Sequence, residues 1–147
     1  MADSKRQQII TALDARLKTI KTVNGYETNL GDNVFELRPA PLQDSELPGV
    51  VYYDTNETHD IAVQTHIHTI SINMDVITSG ATTIATVRKM LADIIKAVGV
   101  DVTFGNLAED SRILSDDIKI EHESKLIGGA LIKMEIEYTT NTFNPYA

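Results

Sequence analysis

The sequence contains no cysteine and no tryptophan, and only 5% of its 147 residues are aromatic. The absence of cysteine excludes disulfides, thiolate metal ligands and a cysteine nucleophile. The few aromatic residues give little support to a surface that stacks single-stranded nucleic acid. No apolar run approaches the ~20 residues that a membrane-spanning helix needs. Residues 1–17 have the pattern of an amphipathic helix rather than that of a signal peptide.

Positive charge is scarce along much of the chain, and the formal net charge is −8. Residues 39–87 contain six acids and neither lysine nor arginine, and the chain after Val100 has nine acids against four bases. Binding to duplex nucleic acid depends on a basic face, so we expect no specific nucleic-acid binding. A basic strip on one helix remains an open alternative. We interpret the excess of acids mainly as a source of solubility.

Common catalytic motifs are missing from the sequence. It has no G-x-S-x-G elbow, no Walker loop and no G-x-G-x-x-G fingerprint. Pairs of acids occur at Asp116-Asp117, Glu121/Glu123 and Glu135/Glu137. The last two pairs fall on polar strand faces, which do not provide the apolar pocket that raises the pKa of a glycosidase acid. We therefore expect a protein that is not an enzyme and that uses no cofactor.

Histidine supplies the one candidate metal site. His66 and His68 are two residues apart on a strand, so they share a face and could ligate one metal, with His59 or Asp60 as a third ligand. They also share that face with Ile70, which favours a pair partly covered by packing near the strand end. We accordingly predict no metal site.

Two segments have the apolar spacing of amphipathic helices. The first begins after an N-cap at Ser4 or Asp3 and ends at Asn24-Gly25. Its apolar stripe is Ile9, Ile10, Leu13, Leu17 and Ile20. The second begins at Thr82 or Thr83 and ends at Gly99. Its stripe is Val87, Leu91, Ile94, Ile95 and Val98.

Alternating apolar and polar residues predict strands at 34–38, 49–54 and 62–77, followed after the second helix by two closing strands. The closing strands contain residues 118–121 and 132–138. Residues 55–60 are interpreted as a turn, 100–114 mainly as loop, Gly128-Gly129 as a bulge and 140–147 as a frayed tail. The chain is therefore expected to form a single domain over 1–147. Its predicted class is α+β, a two-layer sandwich with a mainly antiparallel sheet of four to five strands and two helices on one face.

The first third of the sequence resembles a known family. The helix RQQIITALDARLKTI is followed by NGYETNLGDNVFELR, a proline-rich loop and ELPGVVYYD. This combination over roughly residues 4–54 resembles the tail terminator proteins, also called minor tail protein U-like, of long-tailed bacteriophages and prophages. Beyond residue 54 the resemblance depends on the order of the predicted elements.

The resemblance implies a structural role in the virion. Such subunits assemble into a ring, typically a hexamer, that caps the tail tube, stops its polymerisation and forms the head-joining surface. The implied partners are copies of the chain, the tail tube protein and a head-completion or connector protein, with no membrane partner. The implied location is the head-proximal end of the tail, after synthesis in the host cytoplasm.

Two other functions stay open at this point. One is another tail or head–tail connector component, which the sequence separates poorly from a terminator. The other is a small monomeric ligand-binding domain or enzyme, which a deep pocket with convergent polar groups would favour.

A ring needs contacts between two different patches on neighbouring copies. Exposed apolar residues in turns, stiff loops and the tail are suited to such contacts. The candidate interface residues are Tyr26, Leu30, Leu42, Leu47, Phe143 and Tyr146. The alternative for each is that its side chain packs on its own domain.

Overall fold

The computed structural model describes residues 2–122 and 125–147. Its helices are α1 (Lys5–Leu17) and α2 (Thr83–Gly99). Its strands are β1 (Val34–Glu36), β2 (Gly49–Ala62), β3 (Thr65–Ser79), β4 (Asp110–His122) and β5 (Leu126–Asn141). Short 3₁₀ turns occur at Thr22–Asn24, Leu30–Asp32 and Asp44–Glu46.

The strands form one sheet in the order β1-β2-β3-β5-β4. Strand β1 is parallel to β2, and the other neighbouring pairs are antiparallel. The pairs β2–β3 and β4–β5 are long hairpins, and β3 and β5 form the centre of the sheet. The predicted α+β class with a mainly antiparallel sheet is confirmed.

The core lies between the two helices and one face of the sheet. Along β3, every second residue from His66 to Thr78 is buried, which is the period of two that places alternate side chains on one face. Strand β5 alternates in the same way. The two helices add their apolar stripes to this face. The largest fully buried side chains are Tyr52, Ile9, Leu13, Leu17, Ile20, Leu30, Ile70, Ile72, Met74, Met90, Ile94 and Ile132.

The predicted helix starts are confirmed, but the predicted end of the first helix at Asn24-Gly25 is wrong, because α1 ends at Leu17 and Gly25 follows the 3₁₀ turn Thr22–Asn24. The Ser4 side chain accepts a hydrogen bond from the Gln7 amide at 3.2 Å and caps α1. Gly25 adopts a left-handed φ of +88°, a conformation that costs glycine little. At the start of α2, the Thr83 hydroxyl donates to the Gly80 carbonyl at 2.5 Å. One stripe residue was predicted wrongly, because Ile95 is 50% exposed.

The turn predicted at 55–60 is wrong, since β2 continues to Ala62. Its backbone pairs with β3 as far as Ala62 opposite Thr65, with a register shift between Asp54 and Asn56. The turn lies at residues 63–64, where Gln64 has a φ of +60°. Cross-strand hydrogen bonds therefore stabilise a strand whose polar composition is typical of a turn.

The bulge predicted at Gly128-Gly129 is also wrong. Both glycines pair in register with β3 on one side and β4 on the other. A Cβ atom at Gly128 would collide with the Cγ2 methyl of Thr83. Glycine is required there because the first turn of α2 approaches the sheet closely.

The C-terminal residues, predicted to fray, fold back onto the start of α1. The Lys5 amide donates to the Pro145 carbonyl at 2.8 Å, and the Asn141 amide donates to the Ala147 carbonyl at 2.6 Å. The first amides of a helix have no partner within the helix. The tail supplies one of these missing acceptors, which is why it is held in place.

Candidate functional site

Hydrogen bonds within the chain hold residues 23–31 against α2. The Asp93 carboxylate accepts bonds from the Thr28 amide at 2.8 Å and the Thr28 hydroxyl at 2.7 Å. The Lys96 ammonium donates to the Gly25 carbonyl at 2.7 Å. It also lies 4.9 Å from the centre of the Tyr26 ring. This segment therefore packs on its own domain.

The structure separates the two interface residues predicted in this segment. Leu30 is fully buried in the core, so its prediction as an exposed contact is corrected. The Leu30 amide lies next to the buried Thr28 hydroxyl, and this contact directs the Leu30 side chain into the core. Tyr26 is half-buried, with its ring packed against the core. Part of its surface remains open to a neighbouring molecule.

The proline-rich loop borders an apolar groove on the outer face of the sheet, away from the helices. The groove has a volume of about 440 Å³. Leu42, a predicted interface residue, lines it and is half-buried. Leu47 is half-buried in the same loop. We call this feature the sheet-face groove, and its main apolar residues are Leu37, Leu42, Val51, Tyr53, Ile77 and Leu131.

Charged groups lie within and beside the sheet-face groove. Asp75 is half-buried on its floor, and burial raises the pKa of this carboxyl while the nearby Lys119 ammonium opposes the rise. Arg38 lines the groove and pairs with Glu46 at 2.5 Å. The groove therefore combines apolar walls with a carboxylate that is poorly solvated.

The β2–β3 hairpin carries exposed apolar residues at its end. We call residues 55–64 the hairpin arm. Ile61 and Val63 on the arm are 49% and 91% exposed. Side chains this apolar and this open to water at a hairpin end are suited to contact with another molecule.

The two predicted interface residues of the tail are on the surface, as expected. Phe143 is 78% exposed and Tyr146 is 57% exposed. The Phe143 ring lies edge-on to the His66 ring, with 5.8 Å between their centres. The tail thus places an open aromatic side chain beside the hairpin arm.

Three histidines meet in the β2–β3 hairpin close to its turn, and we call them the histidine cluster: His59, His66 and His68. His59 lies on β2 opposite His68 on β3, and His66 is two residues before His68. One ring nitrogen of each residue lies within 4.8 Å of the others. His59 Nδ1 and His66 Nε2 are 3.0 Å apart. A pocket of about 310 Å³ adjoins the cluster, between the start of α1 and the tail.

Polar groups surround the buried His68 ring, which is 4% exposed. Its Nε2 lies 2.9 Å from the Thr140 hydroxyl, and its Nδ1 lies 3.3 Å from Glu57 Oε2. The other Glu57 oxygen accepts a bond from the Tyr138 hydroxyl at 2.6 Å. Burial lowers the pKa of His68 although Glu57 acts in the opposite direction, so the neutral imidazole is favoured.

Arg6 joins this polar group to the first turn of α1. Its guanidinium lies 2.6 Å from Asp54 and 3.7 Å from Glu57. Residues 39–87 contain neither lysine nor arginine, so the permanently charged partner of these acids comes from outside that stretch. The hairpin arm, the helix start and the tail thus meet at one place.

The sequence pattern predicts that His66 and His68 share a partly covered strand face, but it assigns no role to Glu57. Glu57 and His59 are two residues apart and share a face only if residues 55–60 form a strand. The polar composition of 55–60 indicates a turn instead, so the contact between Glu57 and the histidines does not follow from it. No local sequence pattern predicts that Asp93 binds Thr28, because the two residues lie 65 positions apart in sequence.

Within residues 2–122 and 125–147, neither helix is both long enough and apolar enough to cross a membrane.

Comparison with known proteins gives a likeness of fold. No family model matches the chain, and no curated protein matches it. Among solved structures, the fold is similar to that of a chain in the virion of a native gene transfer agent (GTA) particle. The TM-score is 0.57 at 16% sequence identity, and the match covers 86% of this chain and 92% of that chain. At this identity the comparison shows a shared fold.

Proposed function

We propose that this chain is a structural subunit of a phage-like particle. The observation that carries the proposal is the fold likeness to a chain of a GTA virion over nearly the full length of both chains. The resemblance of residues 4–54 to tail terminators supports the same class of function independently. Both comparisons favour assembly over chemistry, so we propose a role that is not enzymatic.

We propose more specifically that copies of the chain form a ring on the head-proximal end of a tail tube. In this role the ring stops tube polymerisation and presents the surface that a head-completion or connector protein binds. A hexamer is the copy number that the family resemblance favours. The finer assignment as a tail terminator, rather than another connector subunit, depends on that resemblance.

Two unlike surfaces of the molecule support assembly into a ring. A closed ring needs one patch to meet a different patch on the next copy. The hairpin arm offers the exposed Ile61 and Val63, and the sheet-face groove offers an apolar concave surface with Leu37 67% exposed at its rim. Asp60 is exposed on the arm, while Lys119 lines the groove. The exposed apolar side chains of the arm match the apolar walls of the groove, and Asp60 could pair with Lys119, which supports insertion of the arm of one copy into the groove of the next.

The direct test is to add the purified protein to growing tail tubes and to image them by negative stain. A terminator should leave tubes with a density at one end and should stop their lengthening. A connector of another kind should bind tubes that have already stopped growing, without limiting their length. Tubes that lengthen normally and carry no added density would contradict both assignments.

Substitutions in the two surfaces test the proposed ring contact. Val63→Asp in the arm and Leu37→Asp in the groove should each reduce ring formation, because they place a carboxylate in an apolar contact. Ile95→Asp is the matched control, since Ile95 is 50% exposed on α2, in the helical layer. Sedimentation and end-capping are measured together. Unchanged assembly of the arm and groove variants would contradict the contact.

A further inference from the structure

The histidine cluster is organised as a ligand set, and we propose that it binds a divalent transition-metal ion, zinc foremost. The ligands are the imidazole nitrogens of His59, His66 and His68, and the Glu57 carboxylate borders the ion. This site differs from the sequence expectation of no metal. It is independent of the proposed role in a virion, because it depends only on side chains within one chain.

The hairpin geometry brings the three imidazoles together without any loop. Residues two apart on a strand share a face, and His59 is the direct cross-strand partner of His68. Zinc–nitrogen distances of ~2.0–2.1 Å place tetrahedral ligand nitrogens about 3.4 Å apart. The 3.0 Å between His59 Nδ1 and His66 Nε2, and the limit of 4.8 Å for the whole set, require only small side-chain rotations.

The His68 ring lies between two oxygen atoms of the cluster. Its Nε2 lies 2.9 Å from the Thr140 hydroxyl, and its Nδ1 lies 3.3 Å from Glu57 Oε2. Because Thr140 occupies Nε2, Nδ1 is the nitrogen available to an ion, and the Glu57 carboxylate lies beside it. A cation bound at Nδ1 would be attracted by this carboxylate.

The surrounding groups complete the features of a histidine metal site. Ligating histidines usually have their second nitrogen fixed by a hydrogen bond, as Thr140 fixes His68. Glu57 Oε2 also lies 3.4 Å from His59 Nε2, so one carboxylate faces two of the three imidazoles. The Tyr138 hydroxyl and Arg6 hold this carboxylate in position.

The chemistry of the ligands selects the class of metal. Imidazole nitrogen suits zinc, copper, cobalt and nickel, whereas magnesium and calcium prefer oxygen ligands. A bound ion would join β2 to β3 within the hairpin, beside the tail. The expected effect is a more rigid hairpin arm.

The test uses the untagged full chain after treatment with a chelator. Zinc is titrated by calorimetry, cobalt is titrated by visible absorption, and melting temperature is recorded with and without zinc. The wild type should bind one zinc per chain, give cobalt d–d bands typical of nitrogen ligation and melt at a higher temperature with zinc. Glu57→Gln should weaken zinc binding by about 10–100-fold.

The chain provides both a safe variant and a matched control. The His59 side chain is 49% exposed, so His59→Ala should fold and should lose more zinc affinity than Glu57→Gln. His122 is exposed on β4 outside the cluster, and His122→Ala should bind zinc as the wild type does. Equal zinc affinity of His59→Ala and the wild type would overturn the proposal. A wild type that binds neither zinc nor cobalt would overturn it as well.

Discussion

The Asp93 carboxylate accepts both the amide and the hydroxyl hydrogen of Thr28, at 2.8 and 2.7 Å. Its second oxygen accepts from the Glu27 amide at 3.1 Å. Asp93 is only 2% exposed, so this charge is compensated by hydrogen bonds instead of water. The contact fixes the connection between α1 and β1 onto α2 and directs Leu30 into the core.

Replacing Asp93 with alanine should destabilise the fold by about 2–4 kcal/mol, because buried donors lose a charged acceptor. Urea unfolding followed by circular dichroism gives this free energy of unfolding. Lys89→Ala, at an exposed position of α2, is the control and should change it by less than about 0.5 kcal/mol. An Asp93→Ala variant as stable as the control would contradict this account of the contact.

Leu30 and Leu37 provide a matched pair that separates a core role from a surface role. Leu30 is fully buried and Leu37 is 67% exposed. Leu30→Ala should lower the free energy of unfolding by about 2–5 kcal/mol through lost burial and a cavity. Leu37→Ala should leave monomer stability within about 0.5 kcal/mol of the wild type. Similar losses for both variants, measured by urea unfolding, would disprove the assignment of Leu30 to the core.

The features of the fold that could be predicted from sequence are those with local causes. The apolar stripe of α1, the alternation in β3 and β5, and the start of each helix all depend on residues a few positions apart. The extension of β2 through 55–60 depends on pairing with β3, which overrides the polar composition of that segment. Glycine is needed at position 128 because Thr83, which is far away in sequence, packs closely against it.

The candidate sites could be predicted less well, because they depend on contacts between residues that are far apart in sequence. Phe143 and Tyr146 are exposed as expected, because a polar tail gives them little to pack against. The inward position of Leu30 could not be predicted, since it follows from the contact between Thr28 and Asp93. The sheet-face groove is formed by strands and a loop that lie apart along the chain. The predicted ring contacts and partners remain predictions.

Asp101 should make part of the stability dependent on pH. The Thr103 hydroxyl and the amides of Gly105 and Thr103 bond to its carboxylate and lower its pKa from 3.8 to about 2. A pKa that is lower in the folded state stabilises the protein above pH 3.8, and this stabilisation is lost as the pH falls toward 2. Asp101→Asn should therefore melt at a lower temperature than the wild type at pH 7.

The matched control for Asp101→Asn is Asp116→Asn, which removes one carboxylate at an exposed position of β4. Melting temperatures are measured from pH 7 down to pH 2. The difference between Asp101→Asn and the wild type should shrink between pH 4 and pH 2, as the wild-type carboxyl becomes protonated. A difference that stays constant over this range would show that Asp101 acts through something other than its charge.

Asp75 in the sheet-face groove should have the opposite effect on stability. Burial raises the pKa of its carboxyl above 3.8, and Lys119 offsets only part of that rise. The folded state therefore binds the proton more tightly, and stability falls as the pH rises through the folded pKa. Asp75→Asn should unfold at a higher urea concentration than the wild type at pH 7, and this advantage should disappear below pH 3.8.

Asp116→Asn again controls for the loss of one charge. An Asp75→Asn variant that is no more stable than the wild type at pH 7 would show that the carboxylate is better solvated, or better paired, than the groove geometry indicates.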